Sequence, residues 1–212
     1  MITSLKSYRN SLDDCRGFTM IELIVSMVLT LIILGIAVAA FSGALSSRDR
    51  ESSRTDALTS TQAALNIMSR EVGNAGYGLS TNGLVVADCT GKKLHFRANV
   101  SNHDGTTSGS GEDVTFYYDS DSQSVVRYDV ATGTSGVINR VSDVDFTYYN
   151  YVVDTLTGNV TVSSGSASAD TARVNIKLKV LLPNVQGQPT NRIETVSSDV
   201  TLRSSPYILG RY

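Results

Sequence analysis

The chain has 212 residues, a formal net charge of −2, and charged side chains at 18% of its positions. This length is enough for one modest domain and an extended element. The near balance of acidic and basic residues excludes the basic excess that is typical of nucleic-acid-binding proteins, so we expect no nucleic-acid partner. Apolar residues are concentrated between Phe18 and Phe41, and the rest is rich in Ser, Thr, Gly, Val and Tyr. This contrast favours a membrane anchor followed by an exported domain.

An uncharged and largely apolar segment extends from Leu23 to Ser47. A helix crosses the hydrocarbon core of a bilayer with about 20 apolar residues, so the segment is long enough to span a membrane. Lys6, Arg9 and Arg16 precede it. Cationic residues are enriched on the cytoplasmic side of such helices, which predicts a cytoplasmic N-terminus.

Three other interpretations of this segment fit less well. A secretory signal peptide has a shorter apolar core and a cleavage site of small residues, whereas Ala37-Val38-Ala39 lies inside a continuous helical pattern. A plain transmembrane anchor leaves Glu22 unexplained, because an isolated carboxylate is costly to insert into lipid. A buried helix of a soluble domain of this size is normally shorter than this uncharged segment.

The sequence from Arg16 to Leu23, Arg-Gly-Phe-Thr-Met-Ile-Glu-Leu, resembles the processing site of type IV pilins and pseudopilins. In that family a prepilin peptidase cuts after the glycine, and the apolar helix stays in the mature protein. The resemblance implies cleavage between Gly17 and Phe18, with Arg16 as part of the processing motif. It also implies N-methylation of Phe18 by the same peptidase/N-methyltransferase, and an assembly role for Glu22.

The chemistry of Glu22 agrees with that implied role. In a fibre its carboxylate would meet the amino group of a neighbouring Phe18 in a region of low dielectric constant. Such a pair is costly to leave half-made, so it favours the correct axial register of the subunits. The first helical turn also suits a carboxylate because of the helix dipole. The alternative is an interfacial carboxylate that reaches water and has no partner.

Beyond Phe41 the helical pattern becomes amphipathic. Apolar residues recur every seven positions on one face, and we predict a single helix from Phe18 to about Val72. The glycine-rich sequence at 73–78 is expected to end it. The residues predicted to form the packing stripe are Leu58, Thr61, Leu65, Met68 and Val72.

Strand-like segments fill the remainder of the chain. Residues 119–124 predict the turn of a hairpin, and strict alternation over 172–182 predicts one buried and one exposed face. Glycine- and serine-rich sequence at 101–111 and 157–170 predicts loops. The predicted strands are 93–97, 114–118, 125–128, 141–151, 172–182 and a last strand that contains Val196, Val200 and Leu202.

These elements predict an α+β fold of the type IV pilin kind. Its long N-terminal helix has a transmembrane first half and is packed on an antiparallel β-sheet domain. The predicted divisions are a leader peptide at 1–17, an apolar transmembrane and fibre-core helix at 18–42, an amphipathic helix half at 43–76, and a β-rich globular domain at 77–212.

Few residues suggest chemistry. Removal of the leader would take Cys15 and leave Cys89 alone, which we expect to be a small buried side chain rather than a reactive thiol. His95 and His103 are too few for a histidine-rich metal site, and no cysteine or aspartate near them in sequence suggests a triad.

Asp119 and Asp121 lack the glycine and the late glutamate of a calcium-binding EF-hand, so we interpret them as turn residues. The sequence therefore predicts no catalytic residue, no metal site and no cofactor. It predicts that the protein is not an enzyme.

Finer resemblances point to a subgroup. Residues 70–77 are similar to the segment that ends the helix in PilW-type minor pilins. The segments at 116–128 and 141–149 are similar to those minor pilins and to J-type pseudopilins of type II secretion. The resemblance implies a minor pilin whose partners are other major and minor pilins, the inner-membrane assembly platform and, before assembly, the lipid bilayer.

The implied location is the bacterial inner membrane, with a single-pass helix and the C-terminal domain in the periplasm, followed by the pilus fibre at the cell surface. A J-type minor pseudopilin of a type II secretion system is the alternative. A membrane-anchored sensor or adhesin that never polymerises is a third and more distant possibility.

Overall fold

The computed structural model describes residues 17–101, 105–182, 184 and 189–210. Leader residues 1–16, including Cys15 and Arg16, lie outside the described residues, and so does His103. The chain divides into two compact units, Met1–Ser47 and Arg48–Tyr212. The described elements are α1 Met20–Gly73, a 3-10 helix Val86–Asp88, β1 Lys93–Arg97, β2 Asp113–Asp119, β3 Ser124–Asp129, β4 Gly133–Asn139, β5 Val141–Val153, β6 Val160–Gly165, β7 Thr171–Leu181, β8 Ile193–Thr201 and α2 Pro206–Leu209.

The part of α1 that lies in the first unit is apolar on all sides. By length and composition α1 is the one helix of the described chain that is able to cross a membrane. Two of its hydroxyl groups are bonded within the helix: Ser26 Oγ donates to the carbonyl of Leu23 at 2.9 Å, and Thr30 Oγ1 donates to that of Ser26 at 2.7 Å. Because these hydroxyl donors have partners inside the helix, the segment needs no water to satisfy them.

The part of α1 in the second unit carries the predicted stripe. Thr61, Leu65, Met68 and Val72 are fully buried, which confirms the helical periodicity read from the sequence. Leu58, at the start of the stripe, is only partly buried. The helix extends from Met20 to Gly73, close to the predicted limits.

The chain leaves α1 through a tight, glycine-dependent turn. Gly76 has φ +76° and Gly83 has φ +78°, both in the left-handed region that favours glycine. A Cβ on Gly83 would overlap the backbone nitrogen of Gly76 and the carbonyl of Arg97. The Gly76 nitrogen donates to that same carbonyl at 2.8 Å, so the end of the helix is fixed directly to β1.

The β-strands form two antiparallel sheets rather than the single sheet that the sequence predicted. Sheet A has the order β1-β2-β3-β4, and sheet B has the order β6-β5-β7-β8. The change of sheet occurs at Arg140, which has φ +61° between the last residue of β4 and the first of β5. This sharp bend in one residue lets two consecutive strands join different sheets.

Several strand predictions are confirmed. Val174, Ile176, Leu178 and Val180 are buried along β7, as the alternation required. The hairpin is β2–β3, in which Asp119 pairs with Ser124. β1 has the predicted limits of Lys93–Arg97.

Other elements differ from the predictions. The segment 157–170, predicted as a loop, contains β6, and residues 133–139 form β4, which was not predicted. β6 is exposed at every position and is rich in serine, so it shows neither burial-driven alternation nor a strong apolar pattern. The short helix α2 was also not predicted.

The hydrophobic core of the second unit is shared by α1 and both sheets. Leu65 and Met68 of α1 belong to one buried cluster with Phe116 of sheet A and Ile176 of sheet B. Tyr148 of β5 is buried with its hydroxyl within 2.9 Å of the Thr90 carbonyl and 3.0 Å of the Lys93 carbonyl. This aromatic ring therefore contributes to the core while its hydroxyl joins sheet B to the start of β1.

Candidate processing and assembly site

The residues predicted for processing lie directly before α1. Phe18 is 84% exposed, and Gly17 is exposed with no other group near enough to contact an added Cβ. Arg16, the third residue of the predicted motif, lies outside the described residues. Within the described chain, the Gly17–Phe18 bond is therefore sterically open to an enzyme.

Glu22 forms a reciprocal capping arrangement with Thr19. The Thr19 backbone nitrogen donates to Glu22 Oε2 at 3.2 Å, and Thr19 Oγ1 donates to the same oxygen at 3.0 Å. In return, the Glu22 backbone nitrogen donates to Thr19 Oγ1 at 3.3 Å. This is the capping box, in which a Thr before the helix and a Glu three residues later satisfy donors that the first turn leaves open.

The capping box gives Glu22 a defined position before any assembly. All three bonds are at exposed positions, so a stronger donor can replace the Thr19 groups at small cost. A charged amino group of a neighbouring chain is such a donor. Sequence analysis missed the contribution of Thr19, although Thr-x-x-Glu before an apolar segment is a known signature of a helix start.

The first part of α1 presents a large apolar surface. Each of its large apolar side chains is at least 43% exposed in the single chain. Soluble monomers rarely expose a contiguous apolar surface of this size, so it requires lipid or other helices as its surroundings. The side chains concerned are Met20, Ile21, Leu23, Ile24, Val25, Met27, Val28, Leu29, Leu31, Ile32, Ile33, Leu34, Ile36, Val38, Phe41 and Leu45.

His95 lies between two carboxylates that sequence analysis did not connect with it. Its Nδ1 is 2.8 Å from Asp88 Oδ2, and its Nε2 is 2.6 Å from Asp113 Oδ1. Arg97 Nε donates to the other Asp113 oxygen at 2.7 Å. Both carboxylates reach the ring through β1–β2 pairing and the 3-10 helix, which the prediction of no triad near His95 in sequence did not consider.

The geometry of His95 suits a structural role. Both ring nitrogens face carboxylates, so neither is directed at a serine, threonine or cysteine nucleophile. The contacts fix the 3-10 helix to β1 and β2. Among the described residues, no group of three or more His, Cys, Asp or Glu side chains is arranged to hold a metal ion.

Cys89 is half-buried beside this cluster. Its Sγ donates to the His95 carbonyl at 3.3 Å, and burial raises the pKa of the thiol. A thiol with a raised pKa holds little of the thiolate that acts as a nucleophile. The geometry agrees with the interpretation of Cys89 as a packing residue.

Asp119 and Asp121 lie at the β2–β3 turn. Asp119 Oδ1 accepts a hydrogen bond from the Asp121 nitrogen at 3.1 Å, and its other oxygen accepts one from the Ser122 hydroxyl. These are the local bonds by which an aspartate stabilises a turn. The predicted turn is therefore present.

Comparison of the sequence with known proteins finds a match at the N-terminus. Residues 12–38 match the family described as the prokaryotic N-terminal methylation motif, which is of the type IV pilin kind. This match covers a short part of the chain and includes the predicted cleavage bond and Glu22. Neither a curated protein nor a solved structure matches the chain. The matched motif supports the type IV pilin and pseudopilin superfamily and processing by a prepilin peptidase.

Proposed function

We propose that this protein is a minor pilin of the PilW type. It is cleaved between Gly17 and Phe18, methylated on Phe18, and incorporated into a type IV pilus or used to prime its assembly. The observation that carries this proposal is the methylation motif at residues 12–38, placed at the start of a helix that is apolar on all sides. The resemblance of residues 70–77 to PilW-type pilins supports the choice of subgroup.

The proposed assembly contact is between Glu22 and the amino group of a neighbouring Phe18. The carboxylate lies on the first turn of α1, held by exposed bonds to Thr19. Exchange of Thr19 for a charged amine gives a stronger hydrogen bond in an environment of lower dielectric constant. This exchange links correct register to assembly, because a misplaced neighbour leaves both charges unpaired.

The proposed role is structural rather than enzymatic. Both ring nitrogens of His95 contact carboxylates, and the Cys89 thiol has a raised pKa. The proposed partners are major and other minor pilins, the prepilin peptidase, the inner-membrane assembly platform and, before assembly, the lipid bilayer. The proposed topology has a cytoplasmic N-terminus and a periplasmic C-terminal domain, followed by the fibre at the cell surface.

A J-type minor pseudopilin of a type II secretion system is the second candidate. The segments 116–128 and 141–149, which form most of the β2–β3 hairpin and of β5, favour it as much as they favour a PilW-type pilin. A minor pilin and a minor pseudopilin would have the same processing site. The two candidates therefore differ in the assembly that the subunit joins, a pilus or a secretion system.

The test is deletion of the gene followed by complementation with the intact chain or with Gly17→Ala, in which we expect cleavage at the predicted bond to be impaired. We expect loss of surface fibres with normal protein secretion, restored by the intact chain and not by the variant. Loss of secretion with normal fibres would overturn the pilus assignment in favour of the pseudopilin. Full restoration by an uncleaved Gly17→Ala chain would overturn both candidates.

A further inference from the structure

β6 is an edge strand with an open side. It lies at the end of sheet B, and β5 is its one strand neighbour in the described chain. In an antiparallel strand, alternate residues direct their N–H and C=O groups to opposite sides. The groups of β6 that face away from β5 therefore form a row of donors and acceptors that only another extended backbone can pair completely.

Natural proteins protect such edges, and β6 has neither the charges nor the proline that commonly do so. No residue from Thr155 to Ala169 is charged or is proline, and every position of β6 is exposed. Lysine, proline and inward-pointing charges are the common devices against pairing between edges. Val160 and Val162 are instead 42% and 48% exposed.

The other edges of the two sheets differ from β6. Backbone bonds from residues 83–85 cover the outer side of β1, with the Val85 nitrogen donating to the His95 carbonyl at 3.0 Å. β8 carries Glu194 and Asp199. β4 is uncharged and is exposed at Thr134, Ser135 and Gly136, but residues 133–136 are glycine, threonine, serine and glycine, with no apolar side chain. β4 is therefore a matched control edge.

An apolar strip accompanies the open edge. The register places Val162 opposite Tyr151 and Val160 opposite Val153, so these four side chains share one face of the sheet. On the same strip the Tyr151 ring contacts that of Tyr207, with centroids 4.7 Å apart. A strand added outside β6 would thus gain backbone hydrogen bonds and apolar contacts together.

We propose that β6 pairs edge to edge and antiparallel with the β6 of a second copy of this chain, which joins the two copies of sheet B into one continuous sheet. Two-fold pairing places one residue of β6 opposite its own copy and brings the rest of the two identical edges side by side, so charges on the edge would repel those of the second copy. β6 and its flanks carry none. Val160, Thr161 and Val162 are β-branched, the side chains that favour this pairing.

This contact is independent of the proposed function. It uses the second unit of the chain, whereas the Glu22 contact belongs to the first helical turn of α1. A self-paired β6 would therefore be present in the membrane-bound chain before any fibre forms. Failure of fibre assembly would leave this proposal unaffected, and failure of β6 pairing would leave the processing site unaffected.

A cysteine scan of the full chain in bacterial membranes tests the proposal. Cys15 and Cys89 are replaced by serine, and single cysteines are placed at positions 160 to 164, with Thr134→Cys and Ser135→Cys on β4 as matched controls. Mild oxidation is followed by non-reducing electrophoresis and mass spectrometry of the adduct. Accumulation of each variant to the level of the parent shows that it has folded.

The expected result is a homodimer whose disulfide yield peaks at one position of β6. One residue away from the two-fold axis, the two copies of a position are offset by about 7 Å along the strands in addition to the spacing between the strands. This is beyond disulfide reach, so we expect the yield to fall at least about fivefold on either side. The β4 cysteines should give no comparable yield. In the variant with the highest disulfide yield, a lysine placed at another position of β6 should abolish the dimer, whereas Ser135→Lys on β4 should not reduce it.

Three outcomes would overturn the proposal. Equal yields along β6 and at β4 would indicate random collision. An adduct whose mass contains a different protein would show that β6 pairs with another subunit. No adduct at any β6 position, in chains that accumulate normally, would show that the edge stays open.

Discussion

Glu22 has one partner in the single chain and is expected to have another in a fibre. The contacts with Thr19 explain how a carboxylate next to an apolar segment is kept in position, since they satisfy it within one turn. Glu22 therefore has two effects, helix capping and charge pairing, and truncation of its side chain would remove both at once.

We predict that Glu22→Gln reduces incorporation into fibres at least about tenfold, whereas Thr19→Ala retains most of it. Glutamine replaces glutamate in a capping box but carries no charge, and loss of the capping threonine costs about 1 kcal/mol of helix stability. The measurement is the amount of subunit in sheared surface fibres relative to the amount in the membrane. N-terminal processing is checked in both variants as the control.

The opposite pattern would contradict the assembly role of Glu22. If Glu22→Gln is incorporated normally and Thr19→Ala is not, the carboxylate acts by starting the helix and not by pairing with an amine.

At the residue scale, contiguous motifs could be predicted from the sequence, whereas contacts between residues on different elements could not. Glu22 and Phe18 were identifiable because their motif is contiguous. The contacts of His95 were not, because Asp88 lies on a separate 3-10 helix and Asp113 reaches the ring only through the register of β1 and β2. Contacts that depend on register between strands leave no signature at fixed spacing.

At the scale of elements, the end of α1 depends on one close backbone approach. Gly83 meets the backbone of Gly76 and Arg97, and both glycines have positive φ. The turn thus fixes the end of the helix to β1 without using side chains.

We predict that Gly83→Ala destabilises the chain far more than Gly133→Ala. Gly133 also has a positive φ, +87°, but nothing lies within 4 Å of an added Cβ. Its substitution should cost only the strain of a left-handed residue, about 1–2 kcal/mol, while Gly83→Ala must also displace backbone. Thermal unfolding of the full chain in detergent measures the difference, and equal losses would contradict the close approach.

A second link joins α1 to sheet A. Arg127 Nε donates to the two oxygens of Glu71 at 3.1 and 2.8 Å, and its Nη1 donates to Asp129 Oδ2 at 3.2 Å. The Asp129 side chain is only 1% exposed, so it depends on nearby donors rather than on water.

We predict that Arg127→Ala lowers the free energy of unfolding by about 2–3 kcal/mol, because it leaves a buried carboxylate without its cation. Arg192→Ala is the control, since its ion pair with Glu194 is 44% exposed on the arginine side and should contribute less than about 1 kcal/mol. Denaturant unfolding monitored by near-ultraviolet circular dichroism gives both values. Similar losses in the two variants would show that the link to Glu71 and Asp129 adds little.

The sequence predicted the elements better than it predicted their arrangement. The α1 stripe and the β7 alternation were evident because burial on one face imposes a local period. β6 was missed because every one of its positions is exposed. The division into two sheets depends on the bend at Arg140, and arginine is not a residue type that marks such a bend. The positive φ of a non-glycine residue is a result of the surrounding pairing and not of local preference.

At the scale of the whole second unit, four charges connect the two sheets. Lys92, just before β1, contacts Asp143 and Asp145 of β5, the latter at 2.6 Å, and Lys179 of β7 contacts Asp143 at 2.9 Å. The hydrogen bond from Lys92 lowers the pKa of Asp145, partly opposed by burial and supported by Lys179.

We predict that Asp145→Asn lowers the melting temperature at neutral pH and that this loss shrinks as the pH falls below about 3.9. A carboxylate whose pKa is depressed by folding stabilises the protein above its unfolded pKa of about 3.9, and the contribution is lost as pH falls through the lower folded value. Asp121→Asn, on the exposed β2–β3 turn, serves as control. A loss for Asp145→Asn that is the same at pH 7 and pH 3 would contradict the sign of the shift.

The most direct test of the central claim is mass spectrometry of the N-terminus of this protein, purified from surface fibres. We predict a chain that begins at Phe18 and carries one added methyl group on its amino nitrogen, with α1 retained. A chain that still begins at Met1, or one cut after the apolar segment and not before it, would contradict the account.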